Sequence, residues 1–216
     1  MINIQRSEVP KHKFKYNDED IKQKIREDFY HLCYICEENV SVSFEIDHFY
    51  PKGIEEFKHL EHNWDNLFCI CSKCNKERPK DINTNDKEVL NNCKDDVEKK
   101  IGLKFEKIKT GTRIQITPNA KDIKTKNTVK LLNRIYNGIG APDKNKRSHI
   151  YRREAIEKKI VEFEVSLEKY RKNEDLFEDI IKDRLSKKPT TGNNMYVSFK
   201  RQIIREKFPV LEKYFD

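Results

Sequence analysis

Hydrophobic residues recur every three or four positions in several parts of the chain, which is the period of an amphipathic helix. A first helix is predicted after Asp18, which can cap it. The same period predicts helices from about 122 to 136 and from about 146 to 172. The buried face of the first helix contains Ile21, Ile25, Phe29 and Leu32, and the seam of the longest contains Ile156, Ile160, Phe163, Leu167 and Tyr170.

Two further helices are expected near the C-terminus. One is an antiparallel mate for the longest helix, and the other ends before Pro209. Their apolar positions are Leu176, Ile180, Ile181 and Leu185 for the mate, and Tyr196, Phe199, Ile203, Ile204 and Phe208 for the last helix. We interpret the paired helices as an intramolecular hairpin, with a docking surface for a partner protein as the alternative.

A period of two residues predicts strands in two regions. Residues 43–49 alternate between apolar and polar side chains, and residues 64–70 form the predicted return strand. Ser72 can cap a short helix that Pro79 ends. A second hairpin is predicted around Thr110 and Gly111 from the alternation of Leu103, Phe105, Ile114 and Ile116. The chain is therefore predicted to be an α+β protein, with a small ββα unit embedded in a mainly helical protein that has a helical C-terminal half.

Composition agrees with a solvated, helix-rich protein that has a modest core. Of the 216 residues, 36% are hydrophobic and 38% are charged. No apolar run approaches the roughly 20 residues that cross a bilayer, and no signal-peptide core is visible. We therefore expect no membrane association and a bacterial cytoplasmic location, where thiols stay reduced.

The positive charge is concentrated in one stretch. The net charge is +8, and residues 121–172 alone contain 15 basic and 7 acidic side chains. Such a segment is typical of phosphate contact in nucleic-acid binding. The alternative interpretation is a solvated helix face.

Four of the six cysteines form two Cys-x-x-Cys pairs, Cys33 with Cys36 and Cys71 with Cys74. Two such pairs can bind one Zn²⁺ ion through four thiolates, which leaves no position for water and makes the site structural. Disulfides or free buried thiols are the alternative. Cys69 lies in an apolar run and is expected to pack as a small hydrophobic residue, and Cys93 to be a partly buried free thiol.

Between and beside these pairs lie residues that can hydrolyse a phosphodiester. Asp47 and Asn75 offer oxygen ligands for a catalytic Mg²⁺ or Mn²⁺ ion. His48 can accept a proton from water near neutral pH. Strict alternation aims Asp47 and His48 at opposite faces of the strand, so their cooperation requires a bend. Asn66 is expected to brace the loop that carries His48 through backbone hydrogen bonds. The substrate phosphate candidates are Lys52, Lys76 and Arg78.

These motifs resemble the HNH nuclease superfamily. Asp47–His48, Asn66 and Asn75 occupy its three marker positions, with Asn in place of the final His. The resemblance extends to the PtuB-type nuclease of Septu and retron-associated anti-phage systems. It is carried by Cys33-Tyr-Ile-Cys-Glu37, Ile46-Asp-His-Phe-Tyr-Pro-Lys52 and Trp64-Asp-Asn-Leu67 before Cys74-Asn75.

The resemblance implies a zinc-stapled ββα-metal finger, cleavage of nucleic acid with DNA favoured over RNA, a PtuA-type ATPase partner and a role in anti-phage defence. The chain contains no phosphate-binding glycine loop, so any use of ATP would come from that partner. Two other functions stay open. One is a zinc finger that binds nucleic acid or protein without cutting, and the other is a stand-alone restriction-type HNH nuclease.

The motifs divide the chain into three expected parts. Residues 1–32 carry a helix that packs on the finger, and residues 33–95 form the nuclease core with the four-cysteine zinc site. Residues 96–216 contain the hairpin and the basic, helical region for binding nucleic acid or a partner.

Overall fold

The computed structural model describes residues 1–109, 111–141, 146–188 and 195–215. The helices are α1 (Glu19–Asp28), α2 (Ser72–Glu77), α3 (Val97–Lys100), α4 (Ile123–Leu132), α5 (Lys146–Lys172), α6 (Glu174–Leu185) and α7 (Val197–Lys207). The strands are β1 (Glu45–His48), β2 (Leu67–Ile70), β3 (Ile101–Ile108) and β4 (Gly111–Pro118). This mixture of helices with two small sheets confirms the α+β class.

The first sheet and the helix that follows it contain five of the predicted site residues, namely Asp47, His48, Cys74, Asn75 and Lys76. β1 pairs antiparallel with β2, so that Glu45 lies opposite Ile70 and His48 opposite Leu67. The return strand is shorter than predicted, because residues 64–66 form a 3₁₀ turn. The predicted cap of α2 was wrong by one residue. Cys71 is the cap, and its sulfur accepts the backbone N–H of Cys74 at 3.4 Å.

The second hairpin is present where the alternation predicts it. β3 pairs antiparallel with β4, with Leu103 opposite Ile116 and Phe105 opposite Ile114. Of the two predicted turn residues, Thr110 lies outside the described residues and Gly111 has a positive φ of 122°, which glycine adopts at little cost.

The C-terminal helices pack as a hairpin, but one predicted face was wrong. The predicted seam of α5 is buried, whereas Leu176 and Ile180 of α6 are 66% and 41% exposed. The buried side of α6 contains Phe177, Ile181 and Leu185, which recur every four residues. Several apolar residues so close together in sequence fit more than one helix face, and packing selects this one.

The finger and the C-terminal half share one hydrophobic core. It joins Met1 from the N-terminal segment, Phe68 from β2, Leu132 from α4 and Phe199 from α7. Buried ion pairs add to this contact, and one joins Glu77 at the end of α2 to Arg152 of α5 at 3.3 Å. Another joins Glu98 of α3 to Arg201 of α7 at 3.1 Å. The division into three parts stays a prediction.

In the described parts of the chain, none of the helices combines the length and the apolar character that crossing a membrane requires.

Candidate active site and metal centre

Four cysteine sulfurs meet at the N-terminus of α2. The ligand atoms of Cys33, Cys36, Cys71 and Cys74 all lie within 4.8 Å of one another, and the residues are buried. The sulfurs of Cys36 and Cys71 are 3.8 Å apart. Four thiolates at about 2.3 Å from a tetrahedral Zn²⁺ ion lie about 3.8 Å from one another. The cluster therefore fits a structural zinc ion, and within the described ranges it is the one such group of three or more His, Cys, Asp or Glu side chains.

The first pair of cysteines is held in a tight turn. The N–H of Cys33 donates to the carbonyl of Glu38, and the N–H of Glu37 donates back to the carbonyl of Cys33, both at 2.9 Å. Glu37 takes a positive φ of 58° to close this turn. The second pair is formed by the start of α2, where the N–H of Asn75 donates to the carbonyl of Cys71 at 3.0 Å.

The other two cysteines lie outside the cluster. Cys69 is fully buried in β2, in agreement with packing as a small hydrophobic residue. Cys93 is partly buried, and burial raises its pKa to about 11, so that it remains a neutral thiol near pH 7.

Asp47 lies in a buried group with two polar partners. The hydroxyl of Tyr34 donates to Oδ2 of Asp47 at 2.7 Å, and Nε of Arg78 lies 3.0 Å from the same oxygen. Burial raises the pKa of Asp47, and the Arg78 charge and the Tyr34 hydrogen bond only partly offset that effect. Sequence reasoning missed Tyr34, since nothing in a Cys-x-x-Cys spacing assigns a role to the residues between the ligands.

Arg78 was predicted as a phosphate contact, and its geometry argues against that role. Its side chain is 7% exposed, and Nη2 donates to the carbonyls of His48 and Phe49 at 3.0 and 2.9 Å. Arg78 therefore holds the end of β1 and neutralises Asp47. The reason is its place at the end of α2, which turns the side chain toward the strand and away from solvent.

Asn75 of α2 contacts the same face of β1 as Arg78, but its partner on that face is Glu45. Its Nδ2 donates to Oε2 of Glu45 at 2.5 Å. Glu45 precedes Asp47 by two residues, and Asn75 precedes Arg78 by three, so each pair lies on one face of its element. The face between β1 and α2 thus contains carboxylate and amide oxygens, which magnesium and manganese prefer as ligands. Strand alternation could have added Glu45 to the predicted set.

His48 contacts a different part of the chain. Its Nε2 lies 2.9 Å from the carbonyl oxygen of Glu61, and the ring of Tyr16 packs edge-on against the imidazole at 4.9 Å between centroids. Burial lowers the pKa of His48, although the Glu61 carbonyl partly opposes this effect. The imidazole is therefore neutral near pH 7. Asp47 and His48 have separate sets of neighbours, as strand alternation predicts.

Asn66 makes backbone hydrogen bonds to the loop that follows His48. Its Oδ1 accepts the N–H of Tyr50 at 2.7 Å, and its Nδ2 donates to the carbonyls of Tyr50 and Leu60 at 3.0 and 3.1 Å. These contacts fix both ends of the loop that carries Glu61. The position of the Glu61 carbonyl, which contacts His48, therefore depends on Asn66.

The two remaining phosphate candidates differ in their surroundings. Lys52 is half-exposed, and its Nζ contacts Oε1 of Glu61 at 2.9 Å and the hydroxyl of Tyr16 at 2.8 Å. Lys76 is exposed on α2, next to Asn75. Among the described residues Lys76 has no ion-pair partner, so it can contact a phosphate directly. Lys52 would first have to release Glu61 and Tyr16.

Comparison with known proteins adds one match. Residues 33–81, less than a quarter of the chain, match the model of the family described as HNH endonuclease. This segment contains all of the candidate site residues named above from Cys33 to Arg78, and its family supports a nuclease that acts on nucleic acid. No curated protein and no solved structure matches the chain.

Proposed function

We propose that this protein is a metal-dependent endonuclease that hydrolyses phosphodiester bonds, with DNA favoured over RNA as its substrate. The observation that carries the proposal is the arrangement within residues 33–81. A neutral His48 with a fixed hydrogen-bond partner lies at the end of β1, and the opposite face of that strand holds Asp47 and Glu45, with Asn75 of α2 bonded to Glu45. Metal-assisted hydrolysis requires a base and a set of oxygen ligands, and we infer that a phosphate at the end of β1 is reached from both faces of the strand.

The zinc ion and the catalytic ion have separate roles in this proposal. Cys33, Cys36, Cys71 and Cys74 would hold Zn²⁺ as the staple of a ββα-metal finger. Asp47 and Asn75 would hold Mg²⁺ or Mn²⁺, with Glu45 as an additional oxygen donor. These residues would thereby place a divalent cation where it could neutralise charge on the scissile phosphate and on the leaving 3′ oxygen.

His48 acts as the general base in the proposed reaction. A carbonyl oxygen can only accept a hydrogen bond, so Nε2 of His48 carries the proton and Nδ1 has the free lone pair. Nδ1 takes a proton from the attacking water, whose oxygen bonds to phosphorus as the bond from phosphorus to the 3′ oxygen breaks. Asn66 maintains this tautomer by fixing the loop that carries Glu61.

Contact with the nucleic-acid backbone is assigned to exposed basic residues near the finger. Lys76 on α2 and Lys126 and Lys130 on α4 are exposed, and α4 belongs to the basic stretch from 121 to 172. Lys130 also lines a groove of about 360 Å³ whose other wall contains Pro79, just after α2. This location supports binding of the nucleic-acid backbone along the surface from α4 to α2.

The sequence resemblance to PtuB-type nucleases supports a biological setting. In that setting the chain is the effector subunit of a bacterial anti-phage complex, with a PtuA-type ATPase as its partner. The ATPase would supply the nucleotide-dependent step, and this chain would supply cleavage. A stand-alone nuclease would instead cut without that partner.

One observation favours a second function, a zinc-stabilised binding module that does not cut. The Asp47 carboxylate is already paired with Arg78 and Tyr34, and it is buried. A carboxylate in such a group can serve as a structural ion-pair partner with no metal.

A cleavage screen tests the proposal. The chain, alone and with a PtuA-type ATPase, is incubated with plasmid DNA and with total RNA, in Mg²⁺, in Mn²⁺ and in chelator at concentrations that leave zinc bound. The proposal expects cleavage that requires the added divalent ion. Binding of nucleic acid without cleavage in every condition would overturn it in favour of the binding module, and full cleavage without the ATPase would identify a stand-alone nuclease.

A further inference from the structure

Two polar side-chain partners of Asp47 come from the segments that carry the candidate zinc ligands, one from each. Tyr34 lies between the ligands Cys33 and Cys36, and Arg78 follows Cys74 by four residues. The zinc site and the candidate catalytic carboxylate are therefore joined by two direct contacts. We propose that Tyr34 is a positioning residue through which the zinc loop sets the affinity of Asp47 for the catalytic divalent cation, an inference that rests on the proposed function.

Tyr34 is fixed along its whole length. Its backbone N–H donates to the carbonyl of Cys69 on β2 at 2.9 Å, so the zinc loop is tied to the sheet at this residue. Its ring packs edge-on against Phe68 at 5.0 Å between centroids, and the residue is 2% exposed. The hydroxyl therefore has one position, and in that position it donates to Asp47 at 2.7 Å.

The contact falls on a single oxygen of the carboxylate. The hydroxyl of Tyr34 donates to Oδ2 of Asp47, and Nε of Arg78 lies 3.0 Å from the same oxygen. Two partners on one oxygen fix the rotation of the carboxylate and hold Oδ1 in a constant direction. Outer partners of this kind orient metal-binding carboxylates, and their loss typically lowers metal affinity by about 10–100-fold.

The two partners differ in what they contribute. Arg78 brings a positive charge, which neutralises Asp47 and by itself opposes the binding of a second cation. Tyr34 brings a neutral donor, which orients the carboxylate without repelling a metal ion. Removal of the hydroxyl therefore takes away an orienting contact and leaves the charge of Arg78 in place.

The chain offers a matched control for this test. Tyr136 is also fully buried, and its hydroxyl donates to the carbonyl of Ile35 in the same zinc loop at 3.3 Å. Tyr34→Phe and Tyr136→Phe each remove one oxygen atom and no carbon, so both keep the packing of the ring. Only the first removes a contact with Asp47.

The experiment measures Mn²⁺ binding to zinc-loaded wild type, Tyr34→Phe and Tyr136→Phe by the electron paramagnetic resonance signal of free Mn²⁺. We expect the Kd for Mn²⁺ to rise about 10-fold or more in Tyr34→Phe and to stay within about twofold of wild type in Tyr136→Phe. Bound zinc should be the same in all three proteins. In a cleavage assay, the Mn²⁺ concentration for half-maximal rate should rise in Tyr34→Phe, while the rate at saturating Mn²⁺ recovers.

Three results would count against the inference in different ways. Equal Kd values in wild type and Tyr34→Phe would overturn the role of Tyr34 and leave the nuclease proposal standing. An equal rise in both variants would assign the effect to general loosening of the zinc loop. Absence of Mn²⁺ binding by wild type at millimolar concentration would overturn both this inference and the proposed metal site.

Discussion

The imidazole Nε2 of His48 lies 2.9 Å from the backbone carbonyl oxygen of Glu61. Since a carbonyl only accepts, this contact selects the tautomer that carries its proton on Nε2 and leaves Nδ1 basic. The partner is a backbone atom in a loop that Asn66 fixes at both ends. A single buried asparagine thus determines which nitrogen of His48 can accept a proton.

The pH dependence of cleavage should report His48. A general base works in its deprotonated form, so the rate should rise with pH through the pKa of His48 and level off above it. Because burial lowers that pKa, we expect the acid limb to lie below about 6.5, the usual histidine value. Single-turnover rates between pH 5 and about pH 8 at saturating Mn²⁺ measure it. His59→Ala changes an exposed histidine and should leave the acid limb of the pH–rate profile in place. An acid limb centred above neutrality would exclude His48 as the general base.

Removal of one zinc ligand should unfold the finger. Structural zinc sites contribute folding free energy directly, so Cys71→Ser should lose bound zinc and its cooperative thermal transition. Cys93→Ser should keep both, because Cys93 lies outside the cluster, with a stability change of no more than about 1 kcal/mol. Elemental analysis of bound zinc and thermal unfolding make the comparison. Full zinc retention by Cys71→Ser would mean that these four sulfurs do not share one ion.

Substitution of Arg78 should lower the free energy of unfolding much more than substitution of Lys76. Arg78→Ala leaves the buried Asp47 without its cation, and breaking such a pair typically costs about 3–5 kcal/mol. Lys76→Ala removes an exposed side chain and should change the free energy of unfolding by no more than about 0.5 kcal/mol. Urea unfolding of the zinc-loaded variants measures both. Equal stabilities would return Arg78 to the list of substrate contacts.

Much of the fold follows from patterns that the sequence displays. The bounds of α5 and the location of the second hairpin were predicted closely, because each has a regular hydrophobic period. The close approach of the four cysteines was also predicted, since two knuckles with short spacing have few ways to meet. The buried face of α6 was predicted only in part, because its choice depends on packing against α5 and α7.

The partners of the site residues were harder to predict. A bracing role for Asn66 could be predicted because the sequence places it poorly as a metal ligand, and its amide bonds to backbone groups of Tyr50 and Leu60. In contrast, the pairing of Asp47 with Tyr34 and Arg78, and of Asn75 with Glu45, depends on how the two cysteine-bearing segments and β1 meet in space. The sequence alone gives no reason to separate Lys76 from Arg78 as phosphate contacts. The structure separates them, because Lys76 is exposed and the Arg78 side chain is buried.

In the proposed reaction, His48 activates the water that cleaves the phosphodiester. The most direct test is the single-turnover cleavage rate of zinc-loaded His48→Ala, compared with wild type and with His59→Ala, on the nucleic acid that the wild type cuts. We expect His48→Ala to lose about 10²–10⁴-fold in rate, with unchanged zinc content and Mn²⁺ affinity, and His59→Ala to cut like wild type. A His48→Ala variant that cleaves at the wild-type rate would contradict the account.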